Sequence, residues 1–429
     1  MEIIINNEIL KNAVNRIANI ILKKSYIPAL QGFKIVANGD LVTIQGTNME
    51  SYVTLRIADV TIIKDGEIVI DISDMEKILM VKGMIRITVN EKNIINAKSE
   101  KKKTTVCGIS VKEYPEFSTV EQTENSLAMI IPNANSFCSD LKILGISKSL
   151  VESKPMYTGF NFNSTNNSIC TLDGYRMTVR KVDWFTEKST NITVRGMIDK
   201  ELAKIVGKDK NEIKVYHSER YAAFVGSDFT YIVKLLVGNF LDWKEMMPNE
   251  DVQSEFSFAD TKAFLDTLKE YDKFTDKKNK TPCVITGYSS NSILTDFRNG
   301  RYNTTDEVNV NGSFSKDTFI GVNSKYLYEA LSLYYKEDID YTVKIYNSIT
   351  PIVITGGDWI SLVVPVKVQC EDDRKNLIVK EYAAWRKIHK NIQKYIKMQV
   401  STSNPAKLIG GLQECLQGQE RKMQGIFQV

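Results

Sequence analysis

The residues able to do chemistry are few and scattered. His217 and His389 are the only histidines among 429 residues. His217 stands in a strand-like stretch and His389 in a basic helical one, and neither has a cysteine or second histidine at metal-ligand spacing. Cys107, Cys138, Cys170, Cys283, Cys370 and Cys415 form no C-x-x-C pair, which points to free thiols in a reducing compartment. No Walker loop, His-Glu-x-x-His or Gly-x-Ser-x-Gly run is present. Asp173 could act as a catalytic carboxylate, but no motif places a second acid with it, and in Asp173-Gly174-Tyr175-Arg176 it suits turn formation better. Gly356-Gly357 reads as a hairpin turn. No catalytic residue, metal or cofactor is expected.

What the sequence does offer is patterned positive charge. Lys200, Lys204 and Lys208 form an i, i+4, i+8 row, while Ile198, Leu202, Ile205 and Val206 fall on the other face of the same helix. An opening helix turns Ile9, Leu10, Ala13, Val14 and Ile17 inward and Lys11, Asn15, Lys23 and Lys24 outward. Lys77, Lys142, Lys148, Lys269 and Lys325 occupy comparable positions. A lysine face on one helix is ordinarily just solvated, so its recurrence is what gives the pattern weight. The charge is also local. The net +4 divides into about +5 in residues 369–429 and about −1 in the remainder, so a nucleic-acid-facing surface must be confined to particular faces.

The elements that position these lysines repeat. Ile70–Leu79, Gly196–Val206 and Gly321–Leu331 each read as a strand entering a helix, with Asp, Ser or Asn placed to cap it. The equivalent positions Ile72, Ile198 and Val322 lie 126 and 124 residues apart. Earlier in each unit a strand leads into an amphipathic helix, over Ile3–Lys23, Met129–Gly145 and Glu255–Lys273. A period of this length means duplicated whole domains rather than a solenoid. The reading is α+β, with domains at 1–124, 125–253 and 254–368 and a basic helical extension at 369–429. Polar stretches at 121–126 and 248–254 mark the boundaries. No apolar run approaches the about 18 residues that cross a bilayer. The N-terminus lacks a secretory signal, so a cytoplasmic, nucleoid-associated protein with no membrane partner is expected.

Four segments carry a family resemblance. Thr171-Leu172-Asp173-Gly174-Tyr175-Arg176-Met177-Thr178-Val179-Arg180 resembles the mid-chain signature of the β subunit of bacterial DNA polymerase III, the sliding clamp. Ser153–Gly159, Asn239–Pro248 and the pair Pro351–Ile354 and Leu362–Lys367 resemble that family's S-R-P-V-L-T-G strand, F-P-D-Y loop and terminal strands, in the same order. The resemblance spans residues 1–368. It implies three clamp (processivity-fold) domains per chain and a head-to-tail homodimeric ring, with helices lining a central channel and sheets outside. Double-stranded DNA would be held without sequence preference by Lys23, Lys24, Lys77, Lys142, Lys148, Lys200, Lys204, Lys269 and Lys325. It further implies a non-enzymatic processivity role. Polymerase, clamp-loader and repair-protein peptides would dock in a groove between domains 2 and 3 formed by Tyr157, Leu172, Gly174, Tyr175, Arg176, Met177, Leu241, Met246, Ile349, Pro351, Leu362, Val364, Pro365 and Val366. Leu241 and Glu245 depart from the family's usual proline and basic residue. An edge strand around Thr104–Ile109, with Val106 as its apolar contact, would close the ring. A clamp-like tracking factor for transcription or repair, or a duplicated scaffold without DNA, are the other readings.

The family normally ends near Lys367. Here a basic helix is expected over Asp372–Val400, with Leu377, Ile378, Tyr382, Trp385, Ile388, Ile392, Tyr395 and Ile396 as its stripe, and a shorter helix over 407–429. Packing on the ring, a DNA- or partner-binding arm, and a docking segment remain open for it. Gln424-Gly425-Ile426-Phe427 is one residue short of a clamp-binding peptide and is taken as chance.

Overall fold

The computed structural model describes residues 1–117, 119–275, 281–299, 301–368 and 371–400, except the side chains of residues 371, 372, 388, 391, 392 and 394–400. The chain divides into two compact units, residues 1–247 with 355–362, and residues 248–354 with the chain from 363 onward.

The order strand, helix, strands, helix, strands runs three times. Its helices are α1 (Asn7–Ile17), α2 (Ile72–Leu79), α3 (Ala134–Leu144), α4 (Ile198–Val206), α5 (Thr261–Phe274) and α6 (Ser324–Lys336). Each pairs a buried apolar stripe with an exposed polar one. In α4, Ile198, Leu202 and Ile205 are fully buried, worth roughly 1.5–3 kcal/mol apiece in transfer free energy. Asn6, Asp71, Asn133, Asp260 and Asn323 each accept a first-turn backbone N–H. This satisfies donors the helix itself cannot reach. The cap expected for α4 is absent. Met197 precedes that helix without a side-chain bond, and Asp199 lies inside the first turn. The opening helix is also shorter than its apolar spacing suggested. It ends at Ile17, and the chain then turns, burying Ile20 and Ile21 at spacings that mimic a continuing helix.

Within the first unit, antiparallel pairing builds one sheet across two of the repeats. Its strands follow the order 66–71, 32–38, 41–47, 51–57, 229–236, 221–225, 213–217, 127–131. The join is the pairing of Ser51–Ile57 with Phe229–Leu236, in which Val53 faces Tyr231 and Leu55 faces Phe229. Side chains reinforce it. Arg16 of α1 forks onto Asp228 through Nη1 at 2.5 Å and Nη2 at 2.8 Å, and its Nε donates to the Ile205 carbonyl of α4 at 2.6 Å. Arg195 pairs with Glu50. Beneath the strands, the Tyr231 hydroxyl donates to Glu201 at 2.6 Å, and Glu201 is 1% exposed. A separate sheet orders strands 61–64, 2–6, 84–89, 94–98 and 103–107, leaving Lys103–Cys107 at its edge. On the other side, Trp359–Val363 pairs with Arg176–Lys181. The ring of Trp359 lies under the Arg180 guanidinium at 5.1 Å, and Arg180 also pairs with Asp140 and Asp358.

The second unit orders its strands 319–322, 283–287, 292–298, 303–313, 254–258 and 342–345. Strand Ser292–Arg298 shows both faces. Thr295 and Phe297 meet Tyr271 of α5, with rings stacked at 5.1 Å and the Tyr271 hydroxyl 3.2 Å from Thr295 Oγ1. Leu294, Asp296 and Arg298 point the other way and meet the extension, which is the helix α7 (Glu371–Val400). Ile378 is fully buried against Val284, Leu294, Phe319 and Val368, with Tyr288, Val379 and Tyr382 packed alongside. Asp296, wholly buried, is held by Arg298 at 2.9 Å and Arg374 at 3.3 Å. Glu307 receives Tyr382 at 3.0 Å and Arg386 at 2.9 Å. The expected stripe is therefore corrected. Ile378 and Tyr382 dock, whereas Leu377 and Trp385 are 43% and 47% exposed, because the ion pairs rotate the helix toward Arg374, Glu381 and Arg386. The side chains of Ile388, Ile392, Tyr395 and Ile396, the expected helix 407–429 and residues 424–427 lie outside the described residues.

Two outcomes follow. Burial raises the Glu201 carboxyl above its ordinary range, beyond what Tyr231 and Ser51 offset. A raised carboxyl contributes stability in its protonated form at low pH and loses it as pH rises through the folded value. Glu201→Gln should therefore raise the melting temperature at pH 8, with the gain vanishing toward pH 4; an unchanged or lower melting temperature at pH 8 contradicts this. Ile378→Ala should cost about 2–5 kcal/mol in urea unfolding, and an unaltered midpoint would mean that α7 is not docked.

Candidate nucleic-acid and peptide interface

Each proposed DNA-facing lysine finds a distinct environment. Lys142 lies in the last turn of α3, Lys200 and Lys204 on α4, Lys269 on α5 and Lys325 at the start of α6, and all are exposed. Lys269 sits 5.7 Å from the Tyr328 ring, which steadies its stem without consuming its charge. Lys23 and Lys24 are exposed but lie in the bend after α1, off the helix where the sequence placed them. Lys77 is exposed and bonded to Asp74 at 2.6 Å, an intrahelical pair that raises its pKa through that hydrogen bond. A pair this exposed is readily exchanged.

Lys148 is a correction. Its side chain is 12% exposed, bonded to Asp199 at 2.6 Å, and it also donates to the Gly196 carbonyl. It ties the turn after α3 to the start of α4, and removing it from that pair would strand a buried carboxylate. The spacing of charges along the sequence could not reveal this, because Lys148 and Asp199 are 51 residues apart. Arg16, Asp228, Arg180 and Asp358 were missed for the same reason.

The peptide-pocket residues divide by burial. In the first unit, Asp173 Oδ1 accepts from the Tyr175 and Arg176 backbone N–H groups, and Arg176 Nε bonds Asp173 Oδ2 at 3.0 Å. Gly174 at φ 92° completes a turn that an L side chain would strain. The turn holds Tyr175 out, 63% exposed. Leu241 is also exposed, and Met246 is half-buried on a loop pinned by two bonds, Trp243 Nε1 to Ser168 at 3.0 Å and Asn166 to Asp242 at 2.8 Å. Tyr157 packs edge-on against Phe240 at 5.7 Å. Leu172, Met177 and Leu362 are each about 1% exposed, so they are core residues rather than contact surface; Leu172 and Met177 face each other across paired strands. In the second unit Ile349 is 81% exposed on a turn capped by Asn347, while Pro351, Val364, Pro365 and Val366 are half-buried.

Val106 is corrected as well. It is 7% exposed and packs into its own core, opposite Ile95. Among the described residues the strand it belongs to keeps a free edge, with Thr105 and Cys107 facing solvent.

Two family descriptions match consecutively: DNA polymerase III beta subunit, N-terminal domain, over residues 1–118, and its central domain over residues 120–242. The beta sliding clamp of Halalkalibacterium halodurans is 24% identical over 379 residues, covering 83% of this chain and 96% of that protein. That of Bacillus subtilis is 26% identical over 281 residues, covering 62% and 73%. Among solved structures, the DNA polymerase sliding clamp of Bacillus subtilis aligns with a TM-score of 0.77 at 21% identity over 86% of this chain and 99% of that one. The beta subunit of Streptococcus pyogenes DNA polymerase gives 0.77 at 20% over 86% and 100%. These structures are used nearly to their full length and leave about one seventh of this chain unmatched, the share that residues 369–429 make up. With the two family descriptions together spanning more than half of its length, the chain belongs to the DNA polymerase III beta subunit family.

Proposed function

We propose that this chain is a DNA sliding clamp, a non-catalytic ring of two copies that encircles duplex DNA and keeps a replicative polymerase on it. The observation that carries the reading is the succession of strand edges. Ser51–Ile57 takes a strand of the next repeat, Phe229–Leu236, and Arg176–Lys181 takes Trp359–Val363. The strand equivalent to these in the last repeat is Asn303–Ser313, whose residues 303–308 pair only on the Ser292–Arg298 side among the described residues. Lys103–Cys107, the last strand of the first repeat, is likewise open on one edge. Two leftover edges of matching kind at opposite ends of a chain are satisfied when a second copy joins head to tail and the succession closes.

In this reading the chain forms three clamp domains, and the exposed lysines on α3 to α6 provide weak, salt-screened attraction to phosphates, which permits sliding because no base is read. Retention then comes from closure rather than contact strength. Tyr157, Gly174, Tyr175, Arg176, Leu241 and Met246 take the peptides of polymerase, loader and repair proteins, and the same role is proposed for Ile349, Pro351, Val364, Pro365 and Val366. The mixture of Met and aromatic residues suits several ligands.

The full chain should sediment at twice 48.7 kDa. Protein isolated on nicked circular DNA should be released when the circle is cut; a monomer at micromolar concentration, or retention indifferent to cutting, would sink the ring. Lys200→Glu/Lys204→Glu should weaken binding to short duplexes of any sequence and lower the salt slope by about 2. A loss restricted to one DNA sequence would contradict it.

A further inference from the structure

The lysines of α7 that point away from the module it packs on have no role in the clamp reading. The helix docks through Arg374, Ile378, Glu381, Tyr382 and Arg386, all turned toward the sheet of the second unit. Lys380, Lys387 and Lys390 are exposed, and none has an ion-pair partner among the described residues. At 100° per residue these three fall within an arc of about 80°, opposite Ile378. The sequence continues the same spacing at Lys394 and Lys397. From residue 380 to 400 the only acidic residue is Glu381, and it is engaged by Arg298 at 2.7 Å. The helix therefore neutralises its acid on the docking side and leaves, among the described residues, an uncompensated cationic edge about 15 Å long from Lys380 to Lys390, at 1.5 Å rise per residue.

We propose that this edge is an additional contact for duplex DNA, made by the extension and separate from the helices α1 to α6. Charge complementarity selects the occupant. A row of lysines on a rigid helix, with no acid among them, matches a phosphate backbone and requires no base contact. The docked part of α7 cannot insert into a bilayer as an amphipathic helix, because its apolar side, Ile378 and Tyr382, is committed to the sheet. The row is anchored to its module by the Asp296 and Glu307 ion pairs, so it presents its charge at a fixed place rather than on a loose tail.

The inference rests on the clamp reading for its ligand, and the test separates the two. The full chain and its Lys380→Glu/Lys387→Glu/Lys390→Glu variant are titrated with a 30-base-pair (roughly three turns) blunt duplex at several salt concentrations, and both are sedimented. The variant is expected to remain a dimer with an unchanged melting temperature, to bind at least tenfold more weakly at low salt, and to lose about 3 from the salt slope. The same loss should appear on top of Lys200→Glu/Lys204→Glu. An unchanged affinity and slope overturn the proposal. So does a variant that keeps its DNA affinity but no longer pellets with phosphatidylserine vesicles, since that would assign the row to a membrane surface. If wild type and variant are both monomers, the ring fails while the salt slope still decides the α7 contact.

Discussion

The architecture depends on main-chain hydrogen bonding between the edge of one repeat and the last strand of the next. Backbone N–H and C=O groups are the same whatever the side chains, so such a seam survives sequence change that erases most identity. This accounts for a chain 21% identical to the Bacillus subtilis clamp that still aligns with 99% of that clamp's length. Side chains set the register and the strength. Around Ser51–Ile57 and Phe229–Leu236, Arg16 locks α1 to Asp228 and to α4, Arg195 meets Glu50, and Glu201 and Tyr231 form a buried hydrogen bond beneath. Burial of the carboxyl there raises its pKa above the ordinary range, more than the hydrogen bonds from Tyr231 and Ser51 lower it.

The same logic explains how lysine is allotted. A lysine that must stabilise the fold is given a buried partner, as Lys148 is by Asp199. Lys142, Lys200, Lys204 and Lys325 instead stay exposed with no ion-pair partner among the described residues, as the proposed transient phosphate contacts require. Weak contacts and topological closure are complementary requirements: tight contacts would stop sliding, and closure removes the need for them. The extension follows a third pattern. Its helix supplies both a cover for an apolar sheet face and, on its other side, free charge. Val284, Leu294 and Phe319 would otherwise face water, so the sheet and α7 are matched to one another.

Much was legible in the sequence because it is local. The threefold succession of elements, the amphipathic helices, the Asp173 turn with Gly174 and the extension helix are each written within a few turns or strands. Patterns of period two and 3.6, cap residues and turn glycines act over that range. Four motifs in register did the same for the family. Only the tertiary structure decided which members of those patterns face solvent. Leu172, Met177, Leu362 and Val106 have the composition of a binding surface and are core. Lys148 has the composition of a DNA contact and is a buried strut. Lys23 and Lys24 continue a helical spacing past the point where the chain turns. Trp385 has the composition of a packing residue and stays exposed, because Arg374, Glu381 and Arg386 find partners on strands 78 to 83 residues earlier in the chain. Burial and ion pairing are long-range properties, fixed by which segments meet, and residue spacing along a chain carries no record of that.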